Sequence, residues 1–115
     1  MPPRGKMKRT MKNRNDRPAW NIHPGEILRE EFLKRLGMSS YELAKRIHVP
    51  APRVNDIVLE KRGITADTAL RLAKFFGTTE SFWMNLQAFY EVRSAKNRLA
   101  RELGRIHPHQ ARTAA

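Results

Sequence analysis

The sequence has no cysteine. Disulfides and thiolate metal sites are therefore excluded, and a reducing bacterial or archaeal cytoplasm fits the chain. No apolar run approaches the roughly 18–20 residues that span a bilayer. The N-terminus is basic but no apolar stretch follows its charges, so it is not expected to be a secretory leader. There is no HExxH pair, no glycine-rich phosphate loop and no Ser/His/Asp set with workable geometry. The four histidines are scattered through expected turns and tails. Neither strand-like alternation nor an internal repeat occurs. These gaps make an enzyme the weakest reading, call for no metal or cofactor, and leave an all-α chain.

What is present is charge, and its placement matters more than its total. The 115 residues carry a formal net charge of +12, which suggests an anionic partner. Residues 1–17 hold seven Lys/Arg against one acid, and residues 93–115 hold six against one. Between them, residues 18–92 hold ten against nine and are almost neutral. The excess therefore lies in the flanks, where solvated tails explain it as well as nucleic acid does. Residues 1–19 combine prolines, a glycine and dense charge with no apolar periodicity, so a disordered basic arm is expected. Its roles would be loose contact with DNA phosphates or folding onto a protein partner. Met7 and Met11 are also plausible starts.

Residues 20–94 read as one small helical domain that can fold alone with little margin. Its organising stretch is Ser40–Leu59, two short helices around a tight turn. In Tyr41–Ile47, Leu43, Ala44 and Ile47 share one face at helical spacing. Pro50 and Pro52 stop a continuous helix, and Pro52 is tolerated in the first turn of a new one. Over Arg53–Leu59, Val54, Ile57 and Val58 point inward; Arg53, Asn55, Asp56 and Leu59 are more exposed. The small Ala44 permits a close crossing. This is a helix-turn-helix pattern, whose second helix lies in the DNA major groove. His48 stands in the turn, where a left-handed backbone is common and histidine is tolerated.

The neighbouring segments supply the rest of a five-helix domain. Pro24 and Gly25 start a first helix, Ile27, Leu28, Phe32 and Leu36 form its core stripe, and Gly37 ends it. Ser39 or Ser40 caps the second helix. Ile64 and Thr65 act as staple and cap for Ala66–Phe76, with Ala69, Leu70, Leu72, Ala73 and Phe76 buried and Gly77 closing it. Thr78 or Thr79 caps a fifth helix that is apolar almost all round. One face closes the core, and a second, drawn from Phe82, Trp83, Leu86, Phe89 and Tyr90, is left for a homodimer interface, with packing wholly inside the one chain as the alternative. Residues 95–115 form a C-terminal helical extension with a frayed tail. There Leu99, Leu103 and Ile106 recur at spacings of four and three, and His107 and His109 are tail residues rather than metal ligands.

The helix-turn-helix in its five-helix setting resembles the XRE/Cro/lambda-repressor-like domains. Residues 20–95 are more specifically similar to the HigA family of antitoxins (the VapI/HigA type). RVNDIVLEKRGITADTALRLAKFFGT and the following FWMNLQ carry that likeness. His48 departs from the family pattern, where glycine is usual. The resemblance implies a DNA-binding antitoxin that represses its own operon and neutralises a HigB-type toxin, a RelE-like ribonuclease acting on ribosome-bound mRNA. A free-standing regulator without a toxin is the alternative it leaves.

Site residues follow from position in the motif. Ala51, Pro52, Arg53 and Asn55 are the expected base readers. Arg53 suits a bidentate pair to guanine, Asn55 one to adenine, and Ala51 a thymine methyl. The bland alternatives for Arg53 are a phosphate contact or pairing with Asp56. Ser40, Tyr41, Lys61, Arg62 and Thr65 lie at helix ends where phosphate is commonly gripped; simple capping or solvation is the alternative for each. The expected DNA is a pseudo-palindromic operator bound by a twofold dimer.

Overall fold

The computed structural model describes residues 20–110, and among these every regular element is helical. The basic arm expected at 1–19 and the end of the tail at 111–115 lie outside the described residues. Helix α1 covers residues 24–36. It is followed by α2 (Ser40–Arg46), α3 (Ala51–Val58), α4 (Ala66–Phe76), α5 (Glu80–Arg98) and α6 (Ala100–Gly104).

Local chemistry sets most of these ends. Ser39, rather than Ser40, caps α2, accepting the Glu42 N–H at 3.0 Å. Thr65 caps α4. Thr79 caps α5, accepting the Phe82 N–H at 3.0 Å. The Thr78 hydroxyl is used elsewhere, accepting the Trp83 indole N–H at 2.7 Å. Gly37 and Gly77 end α1 and α4 at φ 63° and 78°, the left-handed geometry that glycine adopts without penalty. His48 takes the same region at φ 61°. Glu60, at φ 64°, is a second such residue that nothing in its local sequence flags. The cap of α1 is also unannounced: His23 Nδ1 accepts the Gly25 N–H at 2.8 Å.

The buried stripe of α1 differs from the expected one. Leu36 is 57% exposed, whereas Leu33 is buried. The cause is a π-helical stretch, Leu28–Leu33, inserted between Pro24–Ile27 and Lys34–Leu36. Bonding to the fifth residue back widens the turn. Leu33, five after Leu28, therefore joins Leu28 on the core side. A second correction concerns α4. Leu70 is 56% exposed, while Thr68 joins Ala69, Leu72 and Ala73 inside.

The core gathers Leu28, Leu43, Ile57, Leu72 and Val54 around Trp83, all at most 1% exposed. Trp83 belongs to the interior and not to a dimer face. Its ring packs among Phe32, Phe76 and Phe82, with centroids 5.0, 6.2 and 4.9 Å away. Leu86 packs against the same core, and Tyr90 meets His23 edge-on at 4.7 Å. Gln87, one turn on from Trp83, is buried; its Oε1 accepts the Ile64 N–H at 2.7 Å and its Nε2 donates to Glu91.

Arg29 ties α1 to the end of α3. Its guanidinium donates to the Val58 carbonyl and pairs with Glu60 at 3.3 Å, a carboxylate whose side chain is 3% exposed. Replacing Arg29 with methionine keeps the stem and takes the guanidinium away from a buried carboxylate and a helix-end carbonyl. Breaking a buried pair in this way costs about 3 kcal/mol, with some relief because Arg29 itself is partly solvated. The shift in the urea midpoint measures it. A change below about 0.5 kcal/mol, the level of an ordinary surface substitution, would show that the pair does no stabilising work.

Candidate nucleic-acid interface

Ala44 is 1% exposed at the crossing of α2 and α3. The crossing buries Val54, Ile57 and Val58 on one side of α3. Leu59 follows them halfway, packing against the core rather than facing out. The opposite side is left to Pro52 and Asn55, which are exposed, and Arg53, whose side chain is 31% exposed. Ala51 is half-buried, so its methyl is partly withdrawn.

Two shallow clefts flank this helix. One, of about 270 Å³, lies between Ser40, Tyr41, Ala51, Pro52, Asn55 and Asp56. The other, of about 280 Å³, lies between Arg53, Arg62, Thr65, Asp67 and Thr68. The fold thus brings together residues that lie far apart in the chain. All the expected base and phosphate contacts border a cleft except Lys61, which is exposed beside Arg62. Ser40, freed from capping by Ser39, donates to Asn55 Oδ1 at 3.4 Å. Tyr41 stands out from α2, with the Lys45 ammonium over its ring at 5.8 Å. Thr65 is already engaged as the α4 cap.

The acid paired with Arg53 is Asp67, not Asp56. Arg53 Nη1 donates to Asp67 Oδ1 at 2.9 Å, and Arg71 Nε donates to the same oxygen at 2.6 Å. Arg71 then reaches the turn, its Nη1 donating to the carbonyls of Ile47 and His48 at 2.8 and 3.2 Å. The hydrogen bond from Arg71, followed by the charges of Arg71 and Arg53, holds the Asp67 carboxyl below the usual aspartate value. A lowered carboxyl is ionised throughout the neutral range. The bridge is therefore intact above the ordinary aspartate pKa and is lost only as the pH falls through the lowered value. The i,i+4 spacing of Asp67 and Arg71 hints at their own pairing; the reach to Arg53 and to the turn is purely tertiary.

A separate feature runs along α5 and α6. With Trp83, Leu86 and Tyr90 turned inward, an apolar stripe is left outside at Phe82, Phe89 and Val92 on α5, with Leu99, Leu103 and Ile106 beyond; Met84 is also exposed but falls off their spacing. Phe89 and Val92 are 57% and 55% exposed. Spacings of three, four and seven keep them on one side of a nearly continuous helical rod. The carbonyls of Ala95 and Leu99 still accept from Leu99 and Leu103 across the break at Leu99. No helix among the described residues is long and apolar enough to cross a membrane.

Comparison with known proteins agrees with this geometry. The helix-turn-helix family model matches residues 29–83. Virulence-associated protein I of Dichelobacter nodosus is 54% identical over 83 residues, covering 72% of this chain and 75% of that protein. An uncharacterised HTH-type transcriptional regulator of Escherichia coli K12, YbaQ, is 42% identical over 85 residues, covering 72% and 75%. Among solved structures, the Pseudomonas aeruginosa antitoxin HigA with the higBA promoter superposes with a TM-score of 0.76 at 48% identity, covering 77% of this chain and 98% of that one.

Proposed function

Because the chain belongs to the HigA family of helix-turn-helix proteins, we propose that it is a sequence-specific DNA-binding antitoxin that represses its own operon and neutralises a HigB-type, RelE-like mRNA-cleaving toxin in the cytoplasm. The observation that carries the DNA reading is the outward presentation of Arg53 and Asn55 on α3 between two clefts. A relative solved with its own promoter supports DNA as the partner. In this reading Arg53 and Asn55 meet base edges, with Ala51 and Pro52 close against the groove wall. Ser40 and Tyr41 on one flank, and Lys61, Arg62 and Thr65 on the other, hold the phosphates. The near-neutral charge of residues 18–92 makes these local contacts, rather than a broad positive field, the source of register.

The DNA partner is a pseudo-palindrome with half-sites about 34 Å apart, contacted by a homodimer. We place the dimer seam on Phe82, Phe89, Val92, Leu99 and Leu103, with Leu86 and Tyr90 no more than its edge. Phe89→Glu is expected to lower dimerisation by at least tenfold without unfolding the chain, since Phe89 is already 57% exposed. Sedimentation velocity reads the first and circular dichroism the second. A variant as dimeric as the parent would remove this seam.

Footprinting on the chain's own upstream region tests the DNA reading: two symmetric protected half-sites are expected, and a single isolated one would overturn it. Capture of the product of the neighbouring reading frame, followed by loss of its mRNA cleavage on mixing, tests the toxin reading. The likeness to a transcriptional regulator favours one alternative, a free-standing repressor. In that case the footprint appears and no toxin is captured.

A further inference from the structure

Arg53 is held by a relay that begins outside the recognition helix. The carbonyls of Ile47 and His48 accept from Arg71, Arg71 donates to Asp67, and Asp67 receives Arg53. The turn, α4 and α3 are joined through one carboxylate. We propose that Asp67 is a positioning residue for DNA reading: it orients the Arg53 guanidinium toward the base edge, with Arg71 as its anchor. This deepens the base-reading role given to Arg53 above and rests on it.

Three observations support an orienting role over a stabilising one. The Asp67 side chain is 55% exposed and that of Arg71 is 39% exposed, and ion pairs this open add little to stability. The bond to Asp67 uses one of the five N–H donors of a guanidinium, so the rest of the fork stays available for a guanine edge. Asp67 is itself fixed, since Arg71 approaches it at 2.6 Å and is tied to two backbone carbonyls. A long arginine otherwise loses many rotamers on binding. Holding it beforehand moves that cost out of the binding step. The carboxylate stays ionised at neutral pH for the reason given above, so the relay is in place where the protein works.

The test is a double-mutant cycle of Arg53→Ala and Asp67→Ala, with Asp67→Asn as a neutral isostere. Each full-length variant is scored against a library of operators randomised in both half-sites. Arg53→Ala should flatten the preference at one symmetric pair of positions. Asp67→Ala should weaken preference at that same pair about fivefold to tenfold, leave the other positions alone, and have no effect there once Arg53 is gone. Asp67→Asn should fall in between. If Asp67→Ala leaves that preference intact while Arg53→Ala abolishes it, the positioning role is wrong and base reading stands. If Asp67→Ala sharpens preference or tightens binding, the bridge withholds Arg53 instead of aiming it, and the proposal fails. If Arg53→Ala changes no preference, base reading fails and the positioning role goes with it. Circular dichroism confirms that each variant is folded, and a fall in preference shared by all positions would mark a merely structural effect and overturn the proposal.

Discussion

Gly25→Ala is expected to destabilise the protein by about 3 kcal/mol or more, at the upper end of what overpacking a core costs. An added Cβ at this position would sit 1.8 Å from the Ile57 carbonyl oxygen and 2.9 Å from its carbon. Both atoms belong to the backbone of α3, so no rotamer change relieves the clash. Either the start of α1 moves off α3, or α3 tilts and carries Arg53 and Asn55 with it. For a domain of this size the melting temperature should fall by roughly 10–20 °C. Gly37 makes the control. Its Cβ would meet nothing within 4 Å, so Gly37→Ala costs only the strain of a left-handed alanine, about 1 kcal/mol. A thermal melt showing equal effects at the two glycines would refute close helix approach as the reason for Gly25.

Arg53→Ala should remove most of the discrimination between operator and random DNA. A bidentate arginine–guanine pair is worth about 1–3 kcal/mol. The proposed twofold dimer would use it twice, so roughly 2–6 kcal/mol is at stake, or about thirtyfold to more than ten-thousandfold in the specificity ratio. Binding to random duplex should change far less, because phosphate contacts supply that part. Lys61→Ala should do the reverse, weakening all sequences alike and reducing the salt slope by about one. Fluorescence anisotropy against operator and scrambled duplexes, at several salt concentrations, separates the two. Operator preference retained to within twofold in Arg53→Ala would refute its assignment as a base reader.

Much of the fold was legible because short-range rules govern it. Hydroxyl caps before α2, α4 and α5, glycines after α1 and α4, and prolines at the start of α3 each act within one turn of helix. The family likeness was legible for the same reason, since its motifs are local strings. Where the structure departs from the local pattern, a shift in backbone phase or a distant contact overrides it. Leu36 fits the α-helical stripe of α1, yet the π-helical stretch shifts the phase and Leu33 takes its place. Trp83 fits a second apolar face of α5, yet the cavity between Phe32 and Phe76 takes it whole. With Trp83 inside, the free apolar stripe moves to Phe89 and Val92 and on into α6.

Composition and spacing alone determined that this chain is helical, holds a helix-turn-helix, and carries Arg53 and Asn55 on its second helix. Helical periodicity and capping need no knowledge of the rest of the molecule. Tertiary structure decided that Asp67, anchored by Arg71, holds Arg53, that Arg29 closes the end of α3 over Glu60, and that Gly25 admits no side chain. Each of those depends on atoms distant in sequence meeting within 4 Å, and no local pattern records which helix a given face will touch.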